Sequence, residues 1–391
     1  MSDSLLRLLQ QFKEAVDAPE PGVSLPSEAY TREDLFQLER EKIFRKGWIN
    51  VGRADEVKEP GSYLTAEIDT TPVVVVRQEN MSIKAFANVC KHRSMIVASG
   101  SGKADSFSCI YHGWTYGLNG DLISAPSMPR QGFCKDGHAL TELRLELWLG
   151  FMFVNLDANV RPLADDLAEL TAHLAEYGLE KYQTFRHDQI YARCNWKVAV
   201  ENGLETYHLT ATHGETLAPL APAKNVRMEP ARARFQHYDH LLADDIVIPD
   251  VMAENFIPND IITPERKRLT VVGGIYPCMV YVIGYDWAWW ISCQPISVNE
   301  VRIDHGICAP YDLKGEAPDP ADPSYYFLDL DTEFVAEDIP RIEGVQRGAE
   351  SGFAVQCELH PLEMPIQGFL SYLVNELSKD YQPNLRRIVI G

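Results

Sequence analysis

Long apolar runs, an excess of positive charge and a dense set of cysteines are all missing from this chain of 391 residues. Without a stretch of about 18 consecutive apolar residues, no segment reads as a membrane-spanning helix. The 36 Lys and Arg are outnumbered by 56 Asp and Glu, a formal net charge of -20. That balance argues against nucleic acid or an anionic membrane as a partner. The first residues, MSDSLLRLLQQFKEAVDAPEPG, lack the basic start and apolar core of a secretion signal. Their apolar positions recur at helical spacing among charges, so they are expected to form an amphipathic helix, and the protein is expected in the cytoplasm. The 8 cysteines are too dilute for a disulfide framework and read as thiols or metal ligands. Internal repeats, low-complexity segments and the zinc-protease pattern H-E-x-x-H are absent as well.

What is present has the texture of a soluble globular protein, with 46% hydrophobic and 24% charged residues and a length suited to two or three domains. Residues 1–45 read as helical, with Ser27 and Thr31 as candidate N-caps of a second segment. Residues 46–158 alternate short β-rich runs such as TPVVVVRQ and IKAFANVC with turn pairs such as Pro60-Gly61, the pattern of a small all-β domain. Residues 159–391 mix helical stretches (161–181 and 323–350) with a strongly β region at 268–310, an α+β arrangement. The segment 216–265 shows poor periodicity and reads as a long loop.

Two loops carry the first chemical signal. Cys90 and His92 form a C-x-H pair; sixteen residues later Cys109 and His112 form C-x-x-H. Each pair closes a β-like run and opens a turn. Zinc fingers pair like with like, whereas here each loop offers one thiolate and one imidazole. A Rieske cluster, with two thiolates on one iron and two imidazoles on the other, needs that division. "CKH" and "CIYHGWTYGLNG" resemble the two cluster loops of the Rieske non-haem iron oxygenases, large (alpha) subunit. The resemblance covers most of the chain. It implies a 2Fe-2S cluster in the first domain and, in 159–391, a helix-grip (START-like) catalytic domain around a central antiparallel sheet. It also implies a mononuclear Fe(II), O2 as co-substrate, a reductase or ferredoxin as electron donor with NAD(P)H behind it, and a homotrimer.

The same resemblance extends to "NWKVAVENGLETYHLTATH", where it makes His208 and His213 iron ligands. On an unbroken helix an H-x4-H pair would diverge by about 140°, so the helix is expected to end or bulge between them. Two imidazoles and one carboxylate make the facial triad of oxygen-activating ferrous sites. "FVAEDIPRIEGVQRG" resembles the family's late helix, with Asp338 as the carboxylate among its neighbours Asp331, Glu333 and Glu337. Glu205 stands where the family usually has an aspartate that links a cluster histidine of one subunit to an iron histidine of the next. The implied path runs from His112 through Glu205 to His208. The longer glutamate is familiar in relatives that oxidise quaternary amines. Asn202 and Tyr207 are candidates for orienting the iron histidines.

The run YVIGYDWAWW places Trp287 and Trp289 on one strand face and Trp290 on the other. Such an aromatic wall either packs a core, holds a quaternary ammonium or stacks on a ring. The substrate expected on these grounds is an N-methylated or quaternary amine, followed by demethylation or C–N cleavage. The alternative is mono- or dihydroxylation of an aromatic compound or acid, with Arg227, Arg232 or Arg234 as a carboxylate clamp. Outside the enzymes, the chain would be an electron-transfer module with an empty second site.

Overall fold

The computed structural model describes residues 2–129, 131–248, 255–312 and 327–379, with the backbone alone at 327–332. The β-rich stretch forms a unit of its own, Phe44–Leu163. Its larger sheet has seven antiparallel strands in the order Ile49–Arg53, Phe151–Asn155, Glu142–Trp148, Ile83–Ala87, Thr71–Arg77, Ser62–Ile68 and Ser101–Lys103. Val73, Val74, Val75 and Val76 are fully buried, so this β-branched run is covered on both faces. A three-stranded sheet of Ser106–Ser108, Thr115–Gly117 and Leu122–Ser124 carries the second Cys/His loop between its first two strands.

The second unit joins Met1–Ile43 to Ala164–Gly391. The first helical residues therefore group with the distant α+β region, whereas the sequence suggested a separate 1–45 segment. Ser2 caps the helix Asp3–Asp17, while Ser27 makes no side-chain cap, and Arg32, not Thr31, occupies the N-cap of Glu33–Glu39.

The core of this unit is a seven-stranded antiparallel sheet. Its order is Gln183–Ala192, Glu300–Ala309, Ala288–Ser297, Met279–Ile283, Leu269–Ile275, Phe235–Leu241 and Val226–Met228. The last two strands lie in the segment read as a loop. Gln236, His237 and His240 are buried there with Phe235 and Tyr238, so inward-facing polar residues masked the alternation.

The register aligns Tyr238, Val272, Val282, Trp289 and Ile307 in one row across five strands. The adjacent row, on the opposite face, holds His237, Gly273, Tyr281, Trp290 and Gly306. The helix Trp196–Leu204 packs on the Val282 face. A Cβ on Gly274 would come 2.7 Å from Leu204 Cδ2, so glycine permits this close approach.

The same helix is tied down at its start. Lys197 Nζ and Glu39 Oε1 lie 2.6 Å apart, both fully buried, and the Trp196 indole donates to Glu39 Oε2 at 2.9 Å. Tyr30 donates to Glu201, whose carboxyl burial pushes up to about 7. Replacing Lys197 with Met strands a buried carboxylate and is expected to destabilise the protein by about 3–5 kcal/mol, read by denaturant unfolding. Glu39→Gln combined with Lys197→Met is expected to recover part of that loss. No helix among the described residues is long and apolar enough to cross a membrane.

Candidate metal centres

The two Cys/His loops close in the same way. The Cys90 N–H donates to Met95 O and the Cys109 N–H to Trp114 O, both at 2.8 Å. Ser94 N–H returns to Cys90 O, and Gly113 N–H to Cys109 O. Both return residues have positive φ, 58° for Ser94 and 69° for Gly113, a backbone state that glycine adopts without strain. This closure turns both cysteines inward and both histidines outward. Cys90 and Cys109 are each 2% exposed, while His92 and His112 are exposed with ring centroids 4.5 Å apart. His92 stacks on buried Trp114 at 4.9 Å.

Burial opposes ionisation of Cys90, but hydrogen bonds outweigh it and hold the thiol below its ordinary pKa. The Tyr116 hydroxyl leads, at 3.3 Å from Sγ, followed by the backbone N–H groups of His92 and Arg93. Tyr116 in turn accepts from Lys91 N–H at 2.9 Å. Two inner thiols and two outer imidazoles fit a Rieske cluster.

In the second unit, the helix Trp196–Leu204 stops one residue before Glu205. His208 and His213 then flank a one-turn helix, Leu209–Thr212. This break turns the two rings toward each other, with centroids 5.1 Å apart. Glu205 accepts from the backbone N–H groups of Tyr207 and His208, and its Oε1 lies 2.6 Å from His208 Nδ1. His213 Nδ1 lies 2.6 Å from Glu337 Oε2, which also accepts from Thr216 Oγ1.

Both Nδ1 atoms are thus held by carboxylates, and both Nε2 atoms turn to Asp338. Its Oδ1 is 3.1 Å from His213 Nε2 and 3.7 Å from His208 Nε2. That oxygen is buried and makes no hydrogen bond. Burial pulls the His213 pKa down, but Asp338 and Glu337 outweigh it and raise it. One ligand atom from each of His208, His213 and Asp338 fits within 4.8 Å of the others, with two nitrogens and one oxygen, a donor set that suits ferrous iron.

Glu337, adjacent to Asp338, serves the other nitrogen of the same imidazole, a role the sequence reading did not give it. Glu333 is exposed, and the Asp331 side chain lies outside the described residues. Asn202 lines the cavity beside the histidines. Tyr207 is 52% exposed and stacks on His360 at 4.0 Å, so only its backbone serves the site.

The cavity over this triad measures about 450 Å³. Tyr285, Trp287, Trp289 and Phe334 line it, together with Val272 and Val282 of the sheet row. Trp290, on the opposite face, lies fully buried against Gly306. The candidate arginine clamps are engaged elsewhere: Arg227 with Glu265, Arg232 with Glu169, and Arg234 with Asp166 and Glu376.

A β-rich cluster domain, followed by an antiparallel sheet with a two-histidine, one-carboxylate site, defines the class of Rieske non-haem iron oxygenases. The Rieske [2Fe-2S] domain family matches residues 47–144, and the catalytic domain of the ring-hydroxylating alpha subunit matches residues 179–378. The chain belongs to this family of oxidoreductases, whose two domains bind a 2Fe-2S cluster and a mononuclear iron.

The glycine betaine monooxygenase oxygenase subunit of Chromohalobacter salexigens is 37% identical over 199 residues, 50% of this chain and 44% of that protein. The alignment therefore spans less than half the length of that relative. The chloroplastic choline monooxygenase of Amaranthus tricolor is 26% identical over 386 residues, 96% of this chain and 82% of that protein. Among solved structures, a quaternary ammonium Rieske monooxygenase superposes with a TM-score of 0.80 at 23% identity, covering 94% of this chain and 98% of that one. Naphthalene 1,2-dioxygenase from Rhodococcus sp. gives 0.82 at 20% identity, covering 97% and 99%. The fold is common to both and does not select between their substrates.

Proposed function

We propose that this chain is the terminal oxygenase component of a multicomponent Rieske system, hydroxylating an N-methylated or quaternary amine with O2 and electrons from a reductase or ferredoxin. The observation that carries the reading is the aromatic wall of Tyr285, Trp287, Trp289 and Phe334 in a cavity that reaches His208, His213 and Asp338. Aromatic faces attract a quaternary ammonium, which offers no N–H for a conventional hydrogen bond. The glycine betaine and choline monooxygenases among the relatives support the same substrate class.

In this scheme Cys90 and Cys109 hold one cluster iron, His92 and His112 the other. His208, His213 and Asp338 hold the mononuclear iron. Bound there, the metals supply single electrons and O2 activation. The chain's own residues set the ligands. Each iron histidine donates its Nδ1–H to a carboxylate, Glu205 or Glu337, which leaves the Nε2 lone pair for metal. The assembly is a homotrimer in which Glu205 also links His208 to His112 of the neighbouring subunit.

Two outcomes are expected. Glu337→Ala lowers affinity for the mononuclear iron by about 10- to 100-fold, measured by iron titration, with the cluster signal unchanged. Tyr116→Phe removes a donor to Cys90 and shifts the cluster's reduction potential down by roughly 60–120 mV, measured by redox titration.

The test of the function is product analysis of reduced enzyme with O2 against panels of methylated amines and aromatic acids. Formaldehyde, or a cleaved C–N bond, is expected from the amines. Phenols or cis-diols from the aromatic acids, with the amines untouched, would overturn the reading.

A further inference from the structure

We infer that the aliphatic wall of the cavity receives an apolar tail, so that the substrate is an N-methylated amine bearing an alkyl chain of medium length. This deepens the proposed function and rests on it.

The cavity has two walls of different chemistry. Trp289 and Phe334 pack edge to face at 5.1 Å, and Phe334 lies 6.4 Å from the His213 ring, so the aromatic wall stands beside an iron histidine. The other wall is aliphatic: Leu217, Leu220, Leu242, Ile246, Ile248 and Leu269 all line the cavity. They come from three segments joined by backbone hydrogen bonds. The Leu220 and Ala221 N–H groups return to Leu217 O, closing a turn in the loop that follows His213. The Ala243 N–H donates to Leu220 O at 2.8 Å, and the Leu242 N–H to Arg268 O at 2.9 Å, which ties the rim segment 242–248 to that turn and to the strand that opens at Leu269. Arg268 also holds the rim by its side chain, donating to Ala243 O at 2.7 Å and to Ile246 O at 2.9 Å. The wall thus extends from the loop after His213 to the rim, where Val247 is 85% exposed.

The chemistry of that wall narrows the ligand. Three polar side chains that share the cavity are turned to the chain's own carbonyls. His240 Nε2 donates to Pro222 O at 3.0 Å, Thr206 Oγ1 to Ala223 O at 3.2 Å, and Thr270 Oγ1 to His240 O at 3.5 Å. The acids of the rim, Asp244 and Asp245, are exposed. Leu217, Leu220, Leu242, Ile246 and Ile248 are only half-buried, so they keep apolar surface for a ligand to cover. A chain of CH2 groups gains affinity with each one it buries there, whereas a short polar substituent gains none.

Size sets the length of the tail. At about 30 Å³ per non-hydrogen atom, the share of a water in the liquid, a cavity of about 450 Å³ has room for about 15. A trimethylammonium head takes four of these places and iron with O2 three, which leaves about eight for the tail.

The test measures binding to the iron-loaded holoenzyme by calorimetry, without reductant. The probes are tetramethylammonium, the n-alkyltrimethylammonium ions from ethyl to dodecyl, and the alkan-1-ols of the same chain lengths. Affinity for the ammonium series is expected to rise by about two- to fourfold per CH2 up to octyl and to level off within a few carbons beyond it. Leu220→Gln, in the turn, is expected to weaken octyltrimethylammonium by about 10-fold and to leave tetramethylammonium within about twofold. Ile246→Gln, in the rim, is expected to give the same tail-selective loss.

A flat ammonium series in the wild type, or equal loss for the octyl and tetramethyl ions in both variants, overturns the tail assignment. If tetramethylammonium binds while the series is flat, the quaternary-amine reading stands without the tail. If the alkanols bind as tightly as the ammonium ions and rise with the same slope, the quaternary-amine reading fails and the tail site stands. Failure of the wild type to bind any probe overturns both.

Discussion

Replacing Asp338 with alanine is expected to empty the mononuclear site and leave the Rieske cluster loaded, so iron falls from about three atoms per chain to about two. The geometry makes this loss specific. Among the described residues, Asp338 is the one carboxylate that faces both Nε2 atoms, at 3.1 Å from His213 and 3.7 Å from His208. Glu205 and Glu337 are occupied on the Nδ1 sides and cannot move across without releasing the rings. Turnover should fall by more than about 100-fold, since ligand loss exceeds the effect of losing an orienting partner. Iron analysis together with the cluster's absorbance checks both halves. Full iron retention would make a neighbouring acid the ligand.

The second large effect belongs to Glu205. Glu205→Gln keeps the side chain's length and an amide oxygen able to accept from His208 Nδ1, 2.6 Å away in the parent protein. Both metal sites should therefore stay loaded, and substrate should still bind. Turnover is nevertheless expected to drop by about 100-fold or more, because the charge beside His208 is gone and with it the link to the neighbouring subunit that we propose. Single-turnover experiments locate the defect. With cluster and iron pre-reduced, a fault in electron delivery shows as slowed cluster oxidation. Normal turnover in Glu205→Gln would remove it from the electron path. Glu205→Ala should be worse, since Glu205 also accepts from the backbone N–H groups of Tyr207 and His208 at the start of the one-turn helix.

The cluster loops were legible because their chemistry is local: four donors within 23 residues, each pair followed by a turn. The α+β character of the second region was legible from its strand-rich run at 268–310. Asp338 was different. Composition offers four acids on one stretch, and only resemblance picked one. The division of labour between Glu337 and Asp338 depends on an imidazole inserted between two consecutive side chains, and the helix's own pattern carries no trace of that ring. The strands within 216–265 were hidden because Gln236, His237 and His240 turn inward. The arginines there looked like substrate clamps only because their acidic partners are remote, with Arg232 paired to Glu169 across 63 positions.

The buried pair of Glu39 and Lys197 sets a clock on biosynthesis. The two residues are 158 positions apart, with the whole Phe44–Leu163 unit between them. At roughly 5–20 residues per second, Glu39 waits about 8–30 s for its partner to be translated. During that interval the intervening β unit can complete its own sheet, while the first helices hold an unmatched acid and an apolar face of Leu5, Leu8, Leu9 and Phe12 with no core yet to cover it. The nascent chain is thus most exposed to aggregation and to chaperone capture after its cluster domain has formed and before its catalytic sheet exists.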